Sequence, residues 1–397
     1  MSDVSRNPAL LCAFSAIQMS LFPMAVITIF WMHHIGLSMT EIFLLQAIFA
    51  GTTGLLEFPS GFVADRIGYR KSLVLASLLT LAGWTVYLFS PGFWAIACAE
   101  IVLGSGLSLI SGTDSAILYE SLVETGEETQ FTTWHGRSRF FGQAAEGTAA
   151  LFAGLLYTLS PRAPFVLEVL IWGAGLFVAL RLTEPSRHRP AVTNAFRHMA
   201  GIFRRIARGT PRLRAVIFLT VALAMTSFIP VWIIQIYAER AGIGIAWLGP
   251  IWAVANYTVA LGALASARLG QGLGLMPSLL LCIALAAFGY LGLGVTAAWW
   301  GFVFYFLITL MRGLNGSILN HEEQRLIPSS DRAAFLSARS FVFRSSFVVV
   351  APIVGFSLDR TGEHTVLLVT GLIVLAIGML GWFWLLRTPQ PDPEQAV

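Results

Sequence analysis

Long apolar runs recur along nearly the whole chain, each roughly the length that spans a hydrocarbon core of about 30 Å. A segment inside a bilayer has no water to bond its backbone N–H and C=O groups, so runs of that length without barrel alternation read as helices. Twelve such spans are expected, near residues 8–32, 40–63, 72–90, 93–119, 137–158, 164–182, 214–237, 247–267, 276–296, 299–320, 336–357 and 365–386. Composition supports this reading. Apolar residues make up 56% of the chain and charged residues 12%, whereas soluble domains carry roughly a quarter charged residues. The first run is too long for a signal peptide and no small-residue cleavage site follows it, so a retained helix is expected.

Several function classes fall away on composition. Cys12, Cys98 and Cys282 lie inside apolar runs with no CxxC pairing, which argues against a disulfide framework or a zinc site and for small buried residues. His321-Glu322-Glu323-Gln324-Arg325 begins like a zinc-protease motif, but arginine stands where the second histidine is needed, so no metal is expected. No nucleophile–base pair and no phosphate-cradling loop of the G-x-x-x-x-G-K-S/T type is present, so neither an enzyme nor an ATP-driven pump is expected, and no cofactor. The net charge of +4 resides in interhelical loops and does not indicate nucleic-acid binding. With both termini cytoplasmic, the inner loops hold Arg66, Arg70, Lys71, the central arginine cluster, Arg325 and Arg332, while the outer loops hold Arg162, Arg240 and Arg360. That asymmetry follows the positive-inside rule and sets the expected orientation.

The two halves look like repeats. A shift of about 202 residues places Ala64-Asp65-Arg66-Ile67-Gly68 on Ser266-Ala267-Arg268-Leu269-Gly270 and Arg137 on Arg339. Shifts within one residue of that match Gly154 to Gly355 and Glu120 to Glu323. A half-chain period is how tandem six-helix bundles look in sequence. The expected organisation is a bundle over 1–182, a linker over 183–213 and a second bundle over 214–397. Within the linker, Phe196, Met199, Phe203 and Ile206 share a helical face, and Arg197, Arg204, Arg205 and Arg208 populate the rest. This is the pattern of a basic amphipathic helix on the inner leaflet or of a solvated tether.

Between the second and third runs stands Gly61-Phe-Val-Ala-Asp65-Arg66-Ile-Gly68-Tyr-Arg70-Lys71, a short glycine-bearing turn with one acid followed by three cations. It resembles the signature loop of the major facilitator superfamily, and every position of that signature is filled. The resemblance implies an all-α membrane protein of twelve transmembrane helices in two pseudo-symmetric six-helix bundles, working by alternating access. It also implies a conformational latch at Gly61, Asp65, Arg66, Gly68, Arg70 and Lys71, with Asp65 receiving the amino end of a neighbouring helix near Phe335 to Arg339. The second copy has lost its acid (Ala267). Ser111-Gly-Thr-Asp114-Ser-Ala-Ile-Leu-Tyr119-Glu120-Ser-Leu and Glu57-Phe-Pro59-Ser-Gly61 resemble segments of one bacterial group within that superfamily. Phe140-Phe-Gly142-Gln-Ala-Ala-Glu146-Gly147-Thr lacks the G-P-x-x-G-G stretch of drug/proton antiporters, and Glu100 stands where an early arginine of the fourth helix would be.

Charged groups inside a span cost roughly 2.5–3.5 kcal/mol even on insertion scales, so each needs a cavity or a partner. Glu100 and Glu146 are the candidate proton-coupling carboxylates, the alternative being ion pairs with arginines such as Arg139 or Arg344. Arg312 and Arg344, with Gln18, Gln143 and Asn256, are candidates to meet a substrate in the cavity, and Glu57 and Asp114 to form an inner gate. Asp359-Arg360-Thr-Gly362 copies part of the signature, but on the expected outer side and without the later cations. The resulting expectation is a monomeric transporter of the bacterial inner membrane that exchanges protons or another ion for a small, partly apolar molecule. Export is favoured over uptake, with a transport-inactive receptor as the rival.

Overall fold

The computed structural model describes residues 3–186, 201, 204–206, 208–327 and 332–389, and among these there is no strand. Most of the basic face and apolar stripe expected of the linker, including residues 196, 197, 199 and 203, lies outside the described residues. The helices are α1 (Asn7–Met19), α2 (Ile27–Ile29, running on as a π-helical turn Phe30–Ile35), α3 (Met39–Ile67), α4 (Tyr69–Phe89), α5 (Phe93–Ile110) and α6 (Thr113–Thr125). They continue with α7 (Phe131–Leu159), α8 (Ala163–Arg181), α9 (Pro211–Phe228), α10 (Pro230–Arg240), α11 (Leu248–Leu273), α12 (Leu275–Val295), α13 (Phe302–Leu326) and α14 (Arg332–Leu386).

Nine segments among the described residues are long and apolar enough to cross a membrane. Three facts reconcile this figure with the twelve spans expected. The segment Phe335–Leu386 holds two of them, separated by the non-helical backbone of Gly362 (φ 78°, ψ 165°). The fifth, within α7, carries Arg137, Arg139 and Glu146 and is too polar to qualify. The first is not one helix.

That first span is interrupted over Ser20–Val26. Pro23 has no N–H and its ring crowds the preceding turn, so an α-helix cannot run through unperturbed. The chain turns instead through short bonds, Phe22 N–H to Ser20 O (3.0 Å) and Val26 N–H to Pro23 O (2.9 Å), before α2 resumes. The fourth span also breaks, between α5 and α6, where Gly112 takes a left-handed conformation (φ 82°) that a side chain would resist. The seventh divides at Pro230 into α9 and α10. Hydropathy does not register these breaks, because the residues on either side remain apolar.

The chain forms two compact units: Met1–Leu37, Leu44–Ala195 and Ile245–Trp252 in one, and Ser38–Phe43, Phe196–Gly244 and Ala253–Val397 in the other. In the first, α4 packs on α5 and α8, and α1 packs on α7 and α8. In the second, α14 packs on α12 and α9, and α13 packs on α12 and α9. Small residues permit these approaches, as expected where lipid removes the hydrophobic drive between helices. A Cβ on Gly106 of α5 would sit 2.6 Å from Thr80 Oγ1, and one on Gly292 of α12 would fall on the ring of Phe304. Leu55, Leu155, Leu170, Leu264, Phe288 and Leu372 are exposed on their helices, an arrangement suited to a lipid solvent. Cys12 and Cys282 are buried as expected, whereas Cys98 is exposed on α5.

Candidate functional site

The signature turn is organised by charges at helix ends. Gly68 adopts φ 111°, and a Cβ there would lie 3.0 Å from the Glu184 carboxylate, so glycine is required both by conformation and by space. Glu184 accepts from the backbone N–H groups of Tyr69 (2.8 Å) and Arg70 (2.7 Å), placing an anion on the amino end of α4. Arg70 in turn donates to Leu180 O at 2.8 Å, a cation on the carboxyl end of α8. Arg66 lies over the Phe62 ring at 4.2 Å, Lys71 and Gly61 are exposed, and half-buried Asp65 is not free. Asn7 completes the clamp, its side chain donating to Ser121 Oγ (2.8 Å) and Thr183 O (2.7 Å). The acid that begins the linker, Glu184, is therefore part of the signature's framework.

Toward the other end of the first unit, two buried carboxyls meet one aromatic cluster. Glu100 on α5 is 4% exposed and accepts a hydrogen bond from the hydroxyl of fully buried Tyr87 on α4. The Tyr87 ring stacks on Phe165 of α8 (5.2 Å, 8°) and lies 5.3 Å from Trp84 and 6.5 Å from Trp31. Tyrosine suits this place because its ring packs like phenylalanine while its hydroxyl supplies the donor a buried carboxyl needs. One turn beyond Phe165, Glu168 is fully buried and accepts from the backbone N–H of Phe22, in the break of the first span, at 3.1 Å. Neither acid forms an ion pair with an arginine or lysine among the described residues. Glu168 is absent from the expected set, although it is the one acid of a very apolar 19-residue span. That isolation was the available signal.

The other expected residues are distributed as follows. Glu146 is half-buried and accepts from Gln143 Nε2 at 2.7 Å, a bond within α7, and Gln18 is half-buried in the last turn before the break. Asp114 opens α6 and accepts from the backbone and hydroxyl of Ser115 (2.7 and 3.2 Å), and Glu57 is half-buried in α3. In the second unit Arg312 is exposed and makes no ion pair among the described residues. Three residues on, Asn315 is buried with its Oδ1 unbonded. Asn256 is half-buried, and Arg344 donates to Ser340 Oγ at 3.4 Å.

Glu322 and Glu323, in the stretch that mimics a zinc motif, are instead an ion-pair centre. Glu322 binds Arg212 (2.6 Å) and approaches Arg325 (3.8 Å), while Glu323 binds Arg339 and accepts from Thr220 Oγ1 at 2.8 Å. A cavity of about 400 Å³ adjoins them, lined by Ser266, Gln271, Ser317 and His321. Among the described residues no cluster could hold a metal. Asp359 caps α3 within the second unit. It accepts from the N–H groups of Met39 (2.9 Å) and Thr40 (2.8 Å) and from Thr40 Oγ1 (2.5 Å), beside a Ser38–Glu41 capping box.

This helical arrangement, with a filled signature turn, finds its counterpart in a family model described as Major Facilitator Superfamily, which matches residues 9–349. The chain belongs to that superfamily. As a Major Facilitator Superfamily member it is a multi-pass membrane protein of a transporter class rather than an enzyme. It is 26% identical to the sucrose permease of Escherichia coli over 157 residues, 38% of this chain and 37% of that protein. It is 31% identical to the D-xylose transporter of Levilactobacillus brevis over 123 residues, 25% of this chain and 27% of that protein. The chain thus matches about a third of the length of these curated relatives. Among solved structures, the nucleoside transporter NupG superposes with a TM-score of 0.76 at 11% identity, covering 98% of this chain and 100% of that one. A POT family transporter in complex with 5-aminolevulinic acid superposes with a TM-score of 0.74 at 15% identity, covering 97% of each chain. At such identities the likeness is one of fold.

Proposed function

We propose that this chain is a proton-driven secondary transporter of the bacterial inner membrane that takes up a small hydroxylated solute of the sugar or nucleoside class. The observation that carries the reading is Glu100, a carboxyl 4% exposed, held by a tyrosine hydroxyl and by no cation among the described residues. A carboxylate fixed for structural reasons needs a cation beside it, and a carboxyl that takes up and gives back a proton does not. Glu146 is the lesser candidate, since it is half-buried and bonded to its own helix. The solute class is suggested by the relatives, a sucrose permease and a D-xylose transporter. Uptake is the direction adopted here for such a nutrient-like solute. Arg312, Asn315, Asn256, Arg344, Gln18 and Gln143 offer the donors and acceptors that a hydroxyl-rich solute requires.

In this reading the segments 1–182 and 214–397 are the two moving halves and 183–213 links them, with both termini in the cytoplasm and a monomer as the working unit. Glu57 and Asp114 belong to the gate on the signature side, and Asp65 is the latch acid. The test is uptake by proteoliposomes against a panel of mono- and disaccharides and nucleosides under an imposed pH gradient. Glu100→Gln keeps an acceptor for Tyr87 but removes the proton site, so it is expected to abolish accumulation and retain solute counterflow. Wild-type accumulation in that variant removes Glu100 from the coupling role.

A further inference from the structure

We infer that Glu168 and the break in the first span form a second proton-binding site, in which the protonation state of the carboxyl controls how firmly the break is held. The inference deepens the transporter reading, and its primary test needs no transported solute. Three observations carry it. Glu168 is fully buried, one oxygen accepts at 3.1 Å from the Phe22 N–H, which is shared with Ser20 O at 3.0 Å, and the other, Oε1, makes no hydrogen bond, the equally unbonded indole N–H of Trp172 standing near it. The Phe22 amide lies within Ser20–Val26, where the helix ladder is absent, so this bond ties an irregular backbone segment to α8 across 146 positions of sequence. Irregular backbone at membrane depth persists only where protein or a water-lined cavity satisfies it.

The surroundings select the ligand. An ionised carboxylate buried without a cation carries a large desolvation penalty, and a bound proton removes it. Titratable groups on the packed elements do not supply a fixed counter-charge. α1 contributes Cys12, and α4 contributes Tyr87, whose hydroxyl already donates to Glu100. From α7 come Tyr157 and Glu146, the latter bonded to Gln143, and beyond the break His34 stacks on Phe30 while His33 stands next to it. Arg70 and Lys71 of α4, Arg137 and Arg139 of α7 and Arg181 of α8 belong to the half of the unit nearer the signature turn, and Arg162 precedes α8. None of these groups pairs with Glu168 among the described residues.

A hydrogen bond to a carboxylate is roughly twice as strong as one to a neutral acid. Adding a proton to Glu168, COO⁻ + H⁺ → COOH, therefore weakens the Phe22 tether, and losing it tightens the tether. Proton occupancy at α8 is thereby converted into freedom of the Ser20–Val26 backbone, which lies between α1 and α2 of the same span.

The full chain in lipid nanodiscs provides the test, by pH-difference infrared spectroscopy of the carboxylic C=O band and by amide hydrogen exchange of the peptide containing Phe22, corrected for intrinsic rates. Wild type is expected to show a titrating carboxylic band missing from Glu168→Gln, with Glu100→Gln losing a different component. Phe22 exchange should slow as that band disappears in wild type and stay fast at all pH values in Glu168→Gln. Glu168→Asp, which keeps a carboxyl, guards against misfolding and should restore a titrating band. Identical band titrations in wild type and Glu168→Gln, or Phe22 exchange indifferent to the band, overturn the inference, as does a band that responds to sodium at constant pH. Failure of wild-type solute uptake bears on the transporter reading alone and leaves these readouts intact.

Discussion

Two pairs of buried glutamates in this protein solve the same physical problem differently. In the second unit Glu322 and Glu323, 5% and 2% exposed, are surrounded by Arg212, Arg325 and Arg339, with a hydroxyl from Thr220. In the first unit Glu100 and Glu168, 4% and 0% exposed, are offered a tyrosine hydroxyl and a single backbone N–H. Burial is equal and compensation is not. Glu323 and Arg339 form an ion pair, while Glu120 and Arg137, on which the shift of about 202 residues would place them, do not pair with each other. Arg137 lies instead over the Trp134 ring at 4.7 Å. Acids with fixed cationic partners hold helices together, whereas acids without them are the ones free to exchange a proton.

The contrast breaks most visibly if the paired acids prove dispensable. Arg339→Ala leaves Glu323 buried beside one hydroxyl and is expected to cost about 3–5 kcal/mol, read as a large fall in melting temperature in detergent. Adding Glu323→Gln should recover much of that loss, and an unchanged melting temperature in the single variant would dissolve the distinction between the pairs. A smaller effect is expected at Tyr87. Tyr87→Phe preserves the stacking on Phe165 but removes the donor to Glu100, costing about 1–3 kcal/mol, with gradient-driven uptake impaired as well. A loss as large as that of Arg339→Ala would mean that Glu100 is held as a charge, like Glu323.

The least effect belongs to the exposed anions at helix starts. Glu184→Gln at α4 and Asp359→Asn at α3 should each lower stability by about 0.3–1 kcal/mol, and raised salt should shrink the difference from wild type. A salt-independent loss of several kcal/mol in either would place these caps with the buried pairs.

The site was legible in the sequence in proportion to how local its chemistry is. Gly68 could be read because a tight turn demands it, and Glu100 because an acid in an apolar run is conspicuous. Glu168 is equally conspicuous, but no local feature links it to a break in another span. Asp359, in sequence a broken copy of the signature, caps a helix more than 300 positions away.

Length and hydropathy of the apolar runs and the signature turn are properties of neighbouring residues. They suffice for the helical membrane class, the approximate places of the spans and the superfamily. Where the first span breaks and which acids have a cation beside them follow from packing between distant segments. Pro23 makes a break permissible, and the packing of the unit ties the broken backbone to an acceptor on α8. Glu323 has a cation beside it and Glu100 does not, because Arg339 of α14 reaches Glu323 where α13 packs on α9, whereas the packing of α5 on α4 brings a phenol to Glu100. Charge compensation in a medium of low dielectric is settled over a few ångströms of space, and sequence distance carries no record of which groups will share them.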